Sequence, residues 1–162
     1  MSWFRRSKPV GYKDTGENRT RVETVTRIKT LTGVVPQYRD SLTSPIPHDW
    51  FFAKSTQKAL RTHFWNLPRY STNAFDCENF AQALVQWVCI EAAKVRLNTS
   101  PEVWVICVKS EFPFAGIADG YHALSMIETD KGTFVLEPQS IKDGMTFVPY
   151  SEYPNKPYEI YQ

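Results

Sequence analysis

A cysteine at the head of an amphipathic helix sets the terms for this chain. At about 100° per residue, Cys77, Phe80, Ala81, Leu84, Val88 and Val95 fall on one face, so Phe75-Asp76-Cys77-Glu78-Asn79-Phe80-Ala81 reads as a turn feeding a helix that needs an apolar surface to lie on. The thiol therefore belongs to the inward side. Free N–H groups and the positive end of the helix dipole favour an anion there, which is where a thiolate is stabilised. Ser71, Thr72, Asn73 and Asp76 can all cap such a helix, and the sequence does not choose among them.

With 162 residues, 42% of them hydrophobic, the chain can bury one core and is short for two. The expectation is a partly ordered basic arm over residues 1–20 followed by a single domain over 21–162. The first thirty residues hold eight Lys and Arg against three acids although the net charge of the whole is +2. A solvated arm accounts for this excess, and it is not read as a nucleic-acid surface. Cys77, Cys89 and Cys107 make an odd count without metal-ligand spacing, so neither a disulfide framework nor a metal site is expected, and no cofactor is implied. Residues 1–10 lack the apolar core of a signal peptide, and no run approaches 18 apolar residues. The reading is a cytoplasmic protein with reduced thiols and no membrane partner.

Further along, residues 22–35 are dense in β-branched side chains and read as extended, although Val22, Val25, Ile28 and Leu31 also keep a helical spacing. Pro45 and Pro47 form a stiff connector, after which Asp49 can cap a helix running to about Trp65 with Trp50, Phe51, Leu60 and Phe64 inward. Val103–Val108 is a continuous apolar run, as in a strand covered on both faces. Gly120–Ile127 and Thr133–Glu137 follow as strands around a Thr129-Asp130-Lys131-Gly132 hairpin loop. The proline- and tyrosine-rich tail admits at most short strands at Phe147-Val148 or Glu159–Tyr161.

A thiol nucleophile needs a base, and the base needs an acceptor on its second nitrogen. His122 lies on one strand of the hairpin and Glu137 on the next. In the register set by the loop, Glu128 opposes Thr133, Leu124 opposes Glu137 and His122 opposes Gln139, so Glu137 and Gln139 share the histidine's face. Pro138 marks the end or edge of that strand.

Taken together, Phe75–Ala81, Tyr121-His122-Ala123 and Val135-Leu136-Glu137-Pro138-Gln139 resemble the transglutaminase-like (papain-like) cysteine peptidase superfamily, in particular its small bacterial and bacteriophage members. The resemblance covers about Trp50 to Gln139. It implies an α+β fold with a papain/transglutaminase-like core, in which the cysteine-bearing helix packs on an antiparallel sheet. It also implies a catalytic triad of Cys77, His122 and Glu137, with Glu137 or an amide standing where that group usually has Asp.

The function read from this is a cysteine-nucleophile hydrolase or acyltransferase acting on an amide, peptide or thioester bond, a thiol protease in the language of the resemblance. Cys77 attacks the carbonyl, His122 serves as base and then acid, and Glu137 fixes the imidazole tautomer. The Cys77 N–H stabilises the oxyanion, with Gln139, Trp65 or Tyr70 as candidates for a second donor. The competing reading is a catalytically silent scaffold of the same type that binds a protein or small ligand as an inhibitor or accessory factor. Cys89 and Cys107 are read as core thiols, His48 and His63 as surface or packing residues, and Asp76 and Glu78 as helix-start carboxylates.

Overall fold

Start and stop signals decide the first third of the chain. In the computed structural model, which describes residues 11–71, 76–95, 97–116 and 120–162, Thr20 caps helix α1 (Arg21–Thr32). Its hydroxyl accepts from the Glu23 N–H, and the Glu23 carboxylate accepts from the Thr20 N–H at 2.7 Å. Gly33, at φ 79°, ends the helix by donating to the Lys29 carbonyl. The extended reading of residues 22–35 is corrected accordingly. A capping box and a left-handed glycine outweigh β-branched composition when only a narrow stripe, Thr24, Ile28 and Thr32, has to be buried.

The expected helix from Asp49 to Trp65 is two, α2 (His48–Phe51) and α3 (Lys54–Trp65), broken at Phe52 and Ala53. Pro47 rather than Asp49 precedes the first turn. Trp50, Phe51, Leu60 and Phe64 are buried as their spacing requires. Helix α4 (Cys77–Lys94) carries the cysteine. The first ten residues of the expected arm lie outside the described residues, but Tyr12 is buried and packs on Trp50 with ring centroids 4.6 Å apart.

Two sheets complete the fold. The small one joins β1 (Arg19–Thr20), β2 (Leu42–Ser44) and β3 (Ser100–Pro101), with β2 and β3 parallel. The large one is antiparallel in the order β7-β6-β5-β4-β8, made of β4 (Val103–Ser110), β5 (Gly120–Thr129), β6 (Gly132–Glu137), β7 (Thr146–Pro149) and β8 (Pro157–Tyr161). Alternation along β4 divides the core. Val103 and Val105 join Phe80, Leu84 and Val88 of α4 on one face, while Trp104, Ile106 and Val108 join Ile28 of α1, Leu124 and Met126 on the other.

The anticipated papain/transglutaminase-like core of one cysteine-bearing helix on one antiparallel sheet is therefore corrected. The chain is α+β with two sheets, one of them containing a parallel pair, and a helix contributes to the core where a strand was expected. Strands two or three residues long have no periodicity to read, which is why the small sheet was not foreseen.

Charged residues also enter the interior. Arg19, 7% exposed, donates from Nη1 to Glu102 Oε2 at 2.5 Å and lies 3.9 Å from Glu128 Oε1. Thr43 Oγ1 donates to Glu102 Oε1 at 2.7 Å, and Arg27 pairs with Glu128. This cluster ties α1 and the small sheet to the large one. Burial pushes the Glu102 carboxyl up, against the Thr43 hydrogen bond and the Arg19 charge.

Candidate functional site

The thiol is positioned by the cap before it. Asp76, with φ −103°, accepts from the N–H groups of Glu78 at 3.1 Å and Asn79 at 3.3 Å, and Asn79 Oδ1 accepts from the Asp76 N–H at 3.0 Å. Asp76 is therefore the cap; Thr72, Asn73 and Phe75 lie outside the described residues. This box passes over the N–H of Cys77, the first residue of α4, leaving that donor at the positive end of the helix dipole.

His122 and Glu137 arrive on one hairpin. The ladder pairs Thr129 with Gly132, Glu128 with Thr133 and Ser125 with Leu136, so Asp130 and Lys131 make a two-residue turn with the same parity as the expected four-residue loop. His122 and Glu137 consequently share a face. Gln139 does not stand opposite His122, because Pro138 turns the chain from β6 into a 3-10 helix (Pro138–Asp143). Its backbone N–H instead donates to Glu137 Oε1 at 2.9 Å, which aims Oε2 at His122 Nε2, 2.5 Å away.

Beyond the Ser125–Leu136 pair, β6 leaves β5, and Glu137 pairs with Thr146 of β7. The edge of β5 at His122 and Ala123 is thus without a strand on that side among the described residues. The head of α4 takes the place: the Ala123 N–H donates to the Cys77 sulfur, and the His122 ring hydrogen-bonds it as well. With Nε2 engaged by Glu137, the nitrogen left to face sulfur is Nδ1.

This geometry shifts both titratable groups. The hydrogen bond to His122 draws the Cys77 thiol below its ordinary range; partial burial opposes this, while the Ala123 N–H and the imidazolium charge assist it. Burial by itself would depress His122, but hydrogen bonds to Cys77 and Glu137 and the Glu137 charge prevail and raise it to about 9. Both shifts run in the sense that favours a thiolate beside an imidazolium. By contrast, burial pushes Cys89 and Cys107 up to about 11, as suits unreactive thiols packed against the core.

Of the other candidates, Gln139 is half-buried beside Glu137. Trp65, 63% exposed, ends α3, and the exposed Tyr70 lies in the following loop; neither hydrogen-bonds Cys77, His122 or Glu137 among the described residues. Sequence reasoning missed the Ala123 N–H, since nothing local reveals which strand edge will be left open. It also missed Tyr161, whose hydroxyl donates to Glu78 Oε1 beside the thiol from 83 residues away. Among the described residues no group of three or more His, Cys, Asp or Glu side chains is placed to hold a metal ion, and no helix is long and apolar enough to cross a membrane.

No protein-family model matches the chain, and no curated protein matches it either. Solved structures do share its fold. One is a Polyporus squamosus lectin bound to the human-type influenza-binding epitope Neu5Aca2-6Galb1-4GlcNAc, with a TM-score of 0.60 at 12% identity over 90% of this chain and 49% of that one. Another is PSL1a in complex with E64, with a TM-score of 0.64 at 13% identity over 90% and 50%. The chain thus spans about half the length of these structures, and at such identity the likeness shows the fold alone. The resemblance to the transglutaminase-like (papain-like) cysteine peptidase superfamily is corrected by these neighbours, and the thiol-protease and catalytic-triad labels that came with it are withdrawn. The physical reason is that a cysteine, a histidine and an acid in chain order can recur on unrelated folds, so their order carries no family by itself.

Proposed function

We propose that the protein is a thiol-dependent acyl-transfer enzyme, a hydrolase or acyltransferase acting on an amide, peptide or thioester carbonyl. The observation that supports this reading is the continuous hydrogen-bonded line from the Cys77 sulfur through the His122 ring to Glu137, with Nε2 to Oε2 at 2.5 Å. In the forward step the thiolate adds to the carbonyl carbon, and the oxygen takes up charge beside the Cys77 N–H, with Gln139, Trp65 or Tyr70 as the candidates for a second donor. Collapse breaks the bond to the leaving group, which takes the proton from His122, and an acyl-enzyme remains. His122, now neutral, accepts a proton from water or an amine as it attacks the thioester; the product leaves and the thiolate returns. Glu137 holds the ring throughout. The substrate would be a peptide or other amide.

Replacing Cys77 by Ala should abolish labelling by a thiol-directed acyl probe while the circular dichroism spectrum and melting curve stay those of the folded protein. Equal labelling of the variant removes Cys77 from the role. A second reading is a scaffold that binds a ligand or a protein without turnover, and it draws on one neighbour's being a lectin. A titration separates the two: a Cys77 pKa near the roughly 8.5 of a free thiol favours the scaffold, and a clearly lower one favours the enzyme.

A further inference from the structure

The strand ends around the thiol carry side chains that the chemistry above does not use. On β5, Tyr121 precedes His122 and is 74% exposed; by alternation it lies on the same face as Ala123 and Ile127, where α4 sits. On β8, Tyr158 is 54% exposed, and its ring meets that of Tyr121 edge to face, with centroids 6.1 Å apart at 88°. Glu159 follows Tyr158, and Glu78 follows Cys77, where the Tyr161 hydroxyl holds it. Across the sheet Glu159 pairs with Cys107 and Cys107 with Ala123, which brings Glu159 and the two tyrosine rings to the same end of the sheet.

Next to them an open groove of about 880 Å³ has Glu78, Glu159 and Tyr161 on its wall and passes Val85 of α4. Carboxylates beside a thiolate work against it, so their presence calls for a role other than nucleophile activation. Cations are present as well: Arg21, over the Tyr38 ring, and Arg39 line the groove together with Asp40, and Lys109, opposite Tyr121 on β4, makes no ion pair among the described residues. Two carboxylates with two exposed aromatic faces are complementary to a positive charge.

Resting on the acyl-transfer reading, we propose that Glu78, Glu159, Tyr121 and Tyr158 form a subsite for a cationic side chain, lysine or arginine, of the peptide whose carbonyl is presented to Cys77. The ammonium or guanidinium sits against the tyrosine rings within reach of both carboxylates, and the peptide runs on along α4.

The test uses two acyloxymethyl ketones, one lysyl and one norleucyl, which differ in the ε-ammonium group. Each alkylates the thiolate by forming an S–C bond as the carboxylate leaves. The lysyl probe should label Cys77 about tenfold faster, an advantage that shrinks at about 0.5 M salt and in Glu159→Gln and Tyr158→Ala. Equal rates for the two probes, while iodoacetamide still labels Cys77 well ahead of Cys89 and Cys107 at about pH 6.5, overturn the subsite and leave the nucleophile standing. If iodoacetamide shows no preference for Cys77, the acyl-transfer reading fails and the subsite goes with it.

Discussion

Two clusters of buried ionisable groups lie on this fold, and they use the same carboxylate chemistry to opposite ends. In one, Glu102 and Glu128 are matched by Arg19 and Arg27, guanidinium groups that keep their charge at any working pH. In the other, Glu137 is matched by His122, an imidazole whose proton can move, and the line ends on a half-buried thiol. The first cluster holds elements together with cations that do not change state. The second is built from partners that can change state, and it sits where a sheet edge is open. Burial of charge alone therefore says little about function; the titratability of the counter-ion and its access to solvent carry the distinction.

The comparison breaks most sharply at Glu137. Replacing it by Gln keeps the shape and the contact with the Gln139 N–H but removes the charge that sustains the imidazolium, and turnover should fall by about 10³-fold. The pH profile gives the sign. Thiolate forms as pH rises through the lowered Cys77 value, and the imidazolium is lost as pH rises through about 9, so the proposed turnover should have its alkaline limb near 9 in the native protein. In the variant that limb moves down towards the ~6.5 of an ordinary imidazole. An unmoved limb in the rate of acylation against pH would separate Glu137 from His122.

Arg19→Met tests the other cluster. It leaves the Glu102 carboxylate buried without its cation and should cost about 3–5 kcal/mol in urea unfolding, with Glu102→Gln added in the same chain recovering part of the loss. A midpoint unchanged from the parent means that the cluster contributes nothing net. The smallest effect is expected at Thr43→Val, which removes the neutral donor to Glu102 and the contact with Thr24 at 2.6 Å. It should cost about 1–2 kcal/mol by the same measurement and leave the thiol's alkylation rate untouched.

What the sequence disclosed follows from range. The face of α4, the hairpin parity and the order Cys77, His122, Glu137 depend on spacings within single elements or across a two-residue turn, and periodicity reports those. Helix α1 was misread because its β-branched residues argued for a strand, while the Thr20–Glu23 box and Gly33 argued more strongly for a helix. Arg19 was counted as part of a solvated basic arm, although its partner lies 83 residues away and no local pattern announces the pairing. Glu78 and Tyr161 meet over the same separation. The family resemblance failed for the complementary reason, since short motifs in the right order were taken for an architecture that only the connections between elements define.

The gap that Cys77 fills on β5 has a consequence outside chemistry. An unpaired strand edge is adhesive, and here the donor at Ala123 is satisfied by sulfur rather than by a neighbouring chain. Packing and reactivity are therefore coupled at one atom: replacement by serine keeps an acceptor over the buried Ala123 N–H, whereas alanine leaves that donor without one.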